Sequence, residues 1–143
     1  MTPLYTAEAT VKGEGRSGGS GRTSDGRVSH DFSMPKELGG PGGDGTNPEQ
    51  LVALGYAACF ESALHFVARR RKVELTNPEV TVKVHMGRGE GGGFAFEFEI
   101  DAFLPNLSQA DADSLTAEAH TVCPYSVAFQ NGAPTRATGR GGS

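Results

Sequence analysis

Two hydrophobic rhythms divide this 143-residue chain. Strict alternation, the mark of a half-buried strand, runs through "EVTVKVHM" (79–86) and "FAFEFEIDAFL" (94–104). In the second stretch Phe94, Phe96, Phe98 and Ile100 face one way, and Glu97, Glu99 and Asp101 the other. The glycines between the two stretches predict a hairpin. Weaker alternation predicts strands over "LYTAEATV" (4–11), with Tyr5, Ala7, Ala9 and Val11 on one face, and over "RVSHDFSM" (27–34), with Val28, His30, Phe32 and Met34. The second rhythm is helical. From Pro48 to about Lys72 apolar residues lie almost all round the wheel until the arginines, which predicts a central, buried helix. Its start is well marked: Asn47 serves as N-cap, Pro48 takes the first helical position and Gln50 the reciprocal capping position. Ser108 caps a second helix with an apolar stripe of Ala112, Leu115, Ala119 and Val122, and Pro124 breaks it.

Glycine-rich residues 13–26 and 39–45 are expected as loops, and polar residues 132–143 as a tail. The order is strand, strand, long helix, hairpin, helix. Hairpin-joined strands with helices on one face make an α+β domain: an antiparallel sheet on a long central helix and a second helix, one domain over 1–143. That length suffices to bury about two-thirds of the unfolded-chain surface.

Charge and composition narrow the function classes. The net charge of −4 offers no attraction to nucleic acid or an anionic membrane. The one basic run, Arg69 to Lys72, ends the predicted helix, where it complements the negative end of the dipole. The N-terminus lacks a charged region followed by an apolar core, so no signal peptide is read. The run "LVALGYAACF" is about half of what spans a bilayer. The expectation is a soluble, cytoplasmic protein, in which two cysteines are more often chemical than structural.

Both glycine loops contain a literal G-x-G-x-x-G, at Gly13, Gly15, Gly18 and at Gly40, Gly42, Gly45. A dinucleotide site needs strand, loop and helix in immediate succession. The first loop opens no helix, and the second does not leave a strand directly. No nucleotide cofactor is expected.

The two cysteines pose the main question. Cys59, in "GYAACFESAL", stands mid-helix among alanines, where a thiol usually serves packing. Cys123, in "HTVCPYS", stands at a helix break before Pro124, where it can cap a following turn and ionise more easily. No metal is expected: His30 and His85 fall on strands, His65 lies about 120 degrees round the helix from Cys59, and no pair has zinc-site spacing. His120 and Cys123 could share a helix face, but His120 is read as a surface or edge residue. A cysteine hydrolase would need a histidine base beside its thiol, and His65 fails on helix geometry.

The stretch "PKELGGPGGDGTNPEQLVALGYAACFESAL" (35–64) resembles a signature of the organic hydroperoxide resistance proteins, in the osmotically inducible protein C superfamily. "AHTVCPYS" (119–126) resembles the second signature, its tyrosine favouring that branch, and "LYTAEAT" matches near the start. The resemblance implies a thiol peroxidase with no metal or other cofactor. It places the peroxidatic role on Cys59, the resolving role on Cys123 and a site glutamate on Glu49. The site arginine falls on Arg16 in "GRSG", with Arg22 as second assignment because the loop is one residue longer before "SDG". The tail "VAFQNGAPTRATGRGGS" departs from the family pattern, which leaves a last strand open. The implied substrate is an organic hydroperoxide, and the implied reductant a dithiol such as a lipoylated protein. Two further readings stay open: a redox-sensing or structural binding module without turnover, and a cysteine hydrolase.

Helix geometry adds one expectation. Glu49 and Cys59 are ten residues apart, so about 15 Å along the axis and about 80 degrees round it. A glutamate from a second, antiparallel helix would serve an arginine at Cys59 better, which predicts an intertwined homodimer with composite sites.

Overall fold

The predicted hairpin forms in full. Its strands, Glu79–Arg88 and Phe94–Phe103, pair antiparallel over ten residues each, from Glu79↔Phe103 through Val82↔Ile100 and Val84↔Phe98 to Arg88↔Phe94. The computed structural model describes residues 1–143, which form two compact units, Met1–Val52 and Ala53–Ser143.

The first unit carries β1 (Ala9–Lys12), β2 (Ser20–Thr23) and β3 (Ser29–Asp31) as an antiparallel sheet in that order. β2 lies within the segment read as loop. Its sequence, "SGRT", has no apolar residue to alternate, so pairing on both sides rather than pattern makes it a strand. Gly21 is the permissive residue there: a Cβ on it would stand 2.9 Å from the Val11 side chain and 3.2 Å from Phe32. β1 is shorter than expected. Its ladder ends at Ala9 opposite Thr23, leaving Leu4 and Tyr5 exposed outside the sheet.

The long helix α1 (Pro48–Arg71) starts as the sequence indicates, with Asn47 Oδ1 accepting the Gln50 N–H at 2.8 Å. The reciprocal half of the capping box is replaced: the Gln50 side-chain oxygen accepts from the Thr46 hydroxyl at 2.9 Å.

In the second unit α1 is joined by β4 (Glu79–Arg88), β5 (Phe94–Phe103), α2 (Gln109–Val122) and α3 (Pro124–Asn131). Tyr56, Phe60, Leu64 and Val67 of α1 are at most 2% exposed and form one core with Val82, Leu104, Leu115 and Ala119. Each such side chain contributes roughly 1.5–3 kcal/mol on leaving water. α1 is long and apolar enough to cross a membrane, with a mean hydropathy of 1.5 over its most apolar stretch. The inward ring buries only part of that apolarity: about a third of the apolar stretch, 33%, is buried, so the helix expected to be buried all round is buried on one side. Its opposite side leaves Leu54 and Phe66 exposed.

Lys72 ends the helix in the left-handed region at φ 58°. The basic run does more than meet the dipole: Arg70 and Arg71 both donate to Glu118 of α2 at 3.0 Å. α2 is capped by Ser108, whose Oγ accepts the Asp111 N–H at 3.1 Å. α3 was not expected as a helix, although Pro124 at its first position and Gly132 just beyond its end are ordinary start and stop signals.

Candidate active site

The two cysteines meet. Cys59 points from α1 toward the corner where α2 hands over to α3, and Cys123 occupies that corner as C-cap of one helix and N-cap of the other. The Cys123 thiol donates to the Cys59 sulfur at 3.4 Å. Both are free thiols, Cys123 fully buried and Cys59 partly exposed. A disulfide has a bond length near 2.0 Å, so closing the pair needs a shift of little more than an ångström.

Pro124 has no N–H, and the next amide, Tyr125, is the backbone donor that favours the Cys59 thiolate. The Cys123 side chain makes no cap bond of its own. Burial pushes the Cys59 pKa up, and the second sulfur beside it acts in the same direction. The Tyr125 N–H opposes both, because a donor at a helix N-terminus favours the thiolate.

Aromatic rings wall the pair. Tyr56, one turn before Cys59, packs against Phe98, Tyr125 and Phe129 with ring centroids 5.5–5.6 Å apart. Gly55 makes room for this: a Cβ there would meet the Tyr125 hydroxyl at 2.6 Å. Tyr56, Phe60, Phe98, Ile100 and Phe129 line a cavity of about 370 Å³. His120, Thr116 and Gln130 supply its polar edge.

A hydrogen-bond chain that the sequence did not reveal crosses this region. The Tyr56 hydroxyl shares a 2.7 Å bond with Ser126 Oγ, which shares another of 2.8 Å with His120 Nδ1. Gln130 bonds the far nitrogen of the imidazole. His120 is thus a half-buried edge residue bonded at both ring nitrogens. The signal was the spacing: His120, Cys123 and Ser126 follow at intervals of three, as do Tyr56 and Cys59.

The remaining predicted site residues meet each other in the first unit. Arg16 sits in a single 3-10 turn, Gly15–Ser17, between Gly15 at φ 58° and Gly18 at φ 150°, conformations that disfavour a side chain. Its guanidinium donates twice to Glu49, at 2.8 and 3.0 Å, in a bidentate pair with side chains 29% and 13% exposed. The hydrogen bonds from Arg16 hold the Glu49 carboxyl below its usual pKa, and the same bonds raise that of Arg16. Arg22 stands exposed on β2 and makes no ion pair. Of the two arginines, Arg16 is the one that engages Glu49, and it does so within one chain.

The family model described as OsmC-like protein matches residues 40–138. An organic hydroperoxide resistance protein of Xanthomonas axonopodis pv. citri is 46% identical over 126 residues, covering 86% of this chain and 85% of that protein. The chain belongs to the OsmC family, on its organic hydroperoxide resistance branch. Solved structures of the branch carry the same fold. One from Legionella pneumophila is 43% identical with a TM-score of 0.84, covering 92% of this chain and 93% of its own. Another, from Elizabethkingia anophelis, is 41% identical with the same TM-score and 92% coverage of both chains. The α+β architecture expected from the sequence holds for this OsmC-family chain. The family-model match includes Glu49, Cys59 and Cys123 and begins after Arg16.

Proposed function

We propose that this OsmC-family protein is a thiol peroxidase that reduces organic hydroperoxides to alcohols. The observation that carries the reading is the 3.4 Å approach of the Cys59 and Cys123 sulfurs. The Cys59 thiolate attacks the terminal, hydroxyl-bearing oxygen of ROOH. The O–O bond breaks, the alkoxide takes a proton and leaves as ROH, and Cys59 becomes a sulfenic acid. Cys123 then attacks that sulfur, and its thiol proton leaves with the hydroxide as water, giving a Cys59–Cys123 disulfide before irreversible oxidation can follow. A dithiol of the lipoyl type returns both thiols and is itself oxidised to a disulfide. No metal or other cofactor takes part. The names of the relatives, organic hydroperoxide resistance proteins, support the substrate class. So does the aromatic cavity beside Tyr56, which suits an alkyl or aryl tail better than hydrogen peroxide.

In this reading the Arg16–Glu49 pair supplies the cation that lowers the Cys59 pKa, since a guanidinium keeps its charge when desolvated. The functional protein is a cytoplasmic homodimer. Support for a second copy comes from Leu54 and Phe66 on the outward side of α1, 72% and 48% exposed. Within one chain Glu49 already holds Arg16, so the pair acts as a unit, on the thiol of its own chain or of the other. Mixing inactive Glu49→Ala and Cys59→Ser chains and refolding them together decides this. Heterodimers regain activity if sites are composite, and stay inactive if each chain is self-sufficient.

The reading itself is tested by counting free thiols before and after one equivalent of cumene hydroperoxide, then adding dihydrolipoamide. Loss of both thiols, their return and continued peroxide consumption are expected. Oxidation once, without turnover, would make the protein a sensor.

A further inference from the structure

The chain Tyr56–Ser126–His120 joins three helices around the thiols, and the peroxide chemistry above leaves it unused. Ser126 lies on α3, fully buried, with a partner on α1 at 2.7 Å and one on α2 at 2.8 Å. Cys123 stands midway between His120 and Ser126, three residues from each, at the corner these bonds brace. No buried side-chain polar atom lacks a partner, so the bracing is complete. Hydroxyl and imidazole groups are poor core fillers, and an apolar trio would pack this corner without needing any bonds. Their directional bonds fix something that packing alone leaves loose, namely the setting of the first turn of α3.

We propose that Ser126, anchored by His120 and Tyr56, is the positioning residue of the thiol pair: it holds the first turn of α3 so that Cys123 faces the Cys59 sulfur. The inference rests on the two-thiol reading. An intramolecular bond forms readily in proportion to how narrowly the partners are confined. Releasing the corner gives the reduced state more conformations, and the disulfide becomes easier to reduce.

The test uses the full-length protein equilibrated in buffers of reduced and oxidised dithiothreitol, with the Cys59–Cys123 disulfide read by mass after thiol trapping. Ser126→Ala is expected to lower the equilibrium constant for disulfide formation about tenfold, equivalent to about 30 mV. His120→Asn keeps a polar atom at the Nδ1 position and is expected to stay near wild type. His120→Gln, which places its amide at the far nitrogen instead, is expected to behave like Ser126→Ala. A merely structural role would lower thermal stability in all three without separating Asn from Gln. If Ser126→Ala fails to fold, Tyr56→Phe carries the test, because it keeps the ring and removes one anchor; a threefold or larger drop is expected. A wild-type equilibrium in the folded variant, or equal behaviour of the two His120 variants, overturns the proposal. Peroxide turnover is assayed in parallel. A variant-dependent equilibrium in a protein without turnover supports the positioning role and refutes the peroxidase. Absence of any wild-type disulfide refutes both.

Discussion

The thiol pair and the ion pair are both close contacts between residues far apart in sequence, yet different physics holds them. Cys59 and Cys123 are placed by three helices, their apolar core and the Tyr56–Ser126–His120 bonds, and neither sulfur contributes much to that placement. Arg16 rides a single turn in a glycine-rich loop, and the bond to Glu49 is itself what fixes the side chain. A site residue set by packing tolerates change at the residue and fails when its surroundings change. A site residue set by its own bond does the reverse.

Removing the sulfurs tests the first half and has the largest expected effect. Cys59→Ser should cut peroxide reduction by on the order of a thousandfold or more, since an alcohol is a weak nucleophile near neutral pH. Cys123→Ser should complete one turnover and stop with Cys59 as sulfenic acid, trappable by a dimedone-type reagent. Both variants should melt close to wild type, because the core does the placing. Normal steady-state turnover by Cys123→Ser would sink the two-cysteine cycle.

Breaking the ion pair should give a smaller, pH-dependent loss. Arg16→Ala is expected to slow alkylation of Cys59 at pH 7 by about tenfold for each unit its apparent pKa rises. Arg22→Ala should leave that rate unchanged; the opposite pattern would transfer the role to Arg22. Stability should respond as well. The Glu49 pKa is depressed in the folded chain. The pair therefore stabilises above the unfolded carboxylate pKa, about 4.3, and its contribution fades as pH falls through the lower, folded value. Urea unfolding at pH 7 should show Arg16→Ala weaker by about 1–2 kcal/mol, with the gap shrinking once Glu49 is protonated. A gap that persists in strong acid would mean the arginine stabilises by packing alone.

Gly55→Ala should act least on stability and still reach the thiol. Alanine gains up to about 1 kcal/mol of helix propensity, while its methyl displaces the Tyr125 ring. Melting should move little, and Cys59 alkylation should slow a few-fold as the Tyr125 amide is disturbed. An unchanged alkylation rate would show that the ring moves without its backbone.

The same contrast explains what could be read in the sequence. α1, the hairpin and α2 announce themselves through periodicity, caps and a helix-breaking proline, and all three form where expected. β2 was invisible because a strand paired on both sides by backbone needs no hydrophobic alternation, and Gly21 is there to be covered. α3 was missed although Pro124 and Gly132 bracket it, because eight residues are too few for a clear period. In the site, a family resemblance singled out Cys59, Cys123, Arg16 and Glu49, whereas the Tyr56–Ser126–His120 chain depends on three helices meeting.

The unequal exposure of the two cysteines gives thiol–disulfide exchange a direction. Cys123 is wholly enclosed and Cys59 is not. An external thiolate meeting the oxidised pair would find one sulfur open to in-line attack and the other shielded by protein. Exchange would then enter at Cys59, pass through a mixed disulfide on that residue, and expel Cys123 inward as the leaving thiolate. Bulky reductants would be sorted by their reach to a single sulfur, and their rate would report the opening over Cys59 alone.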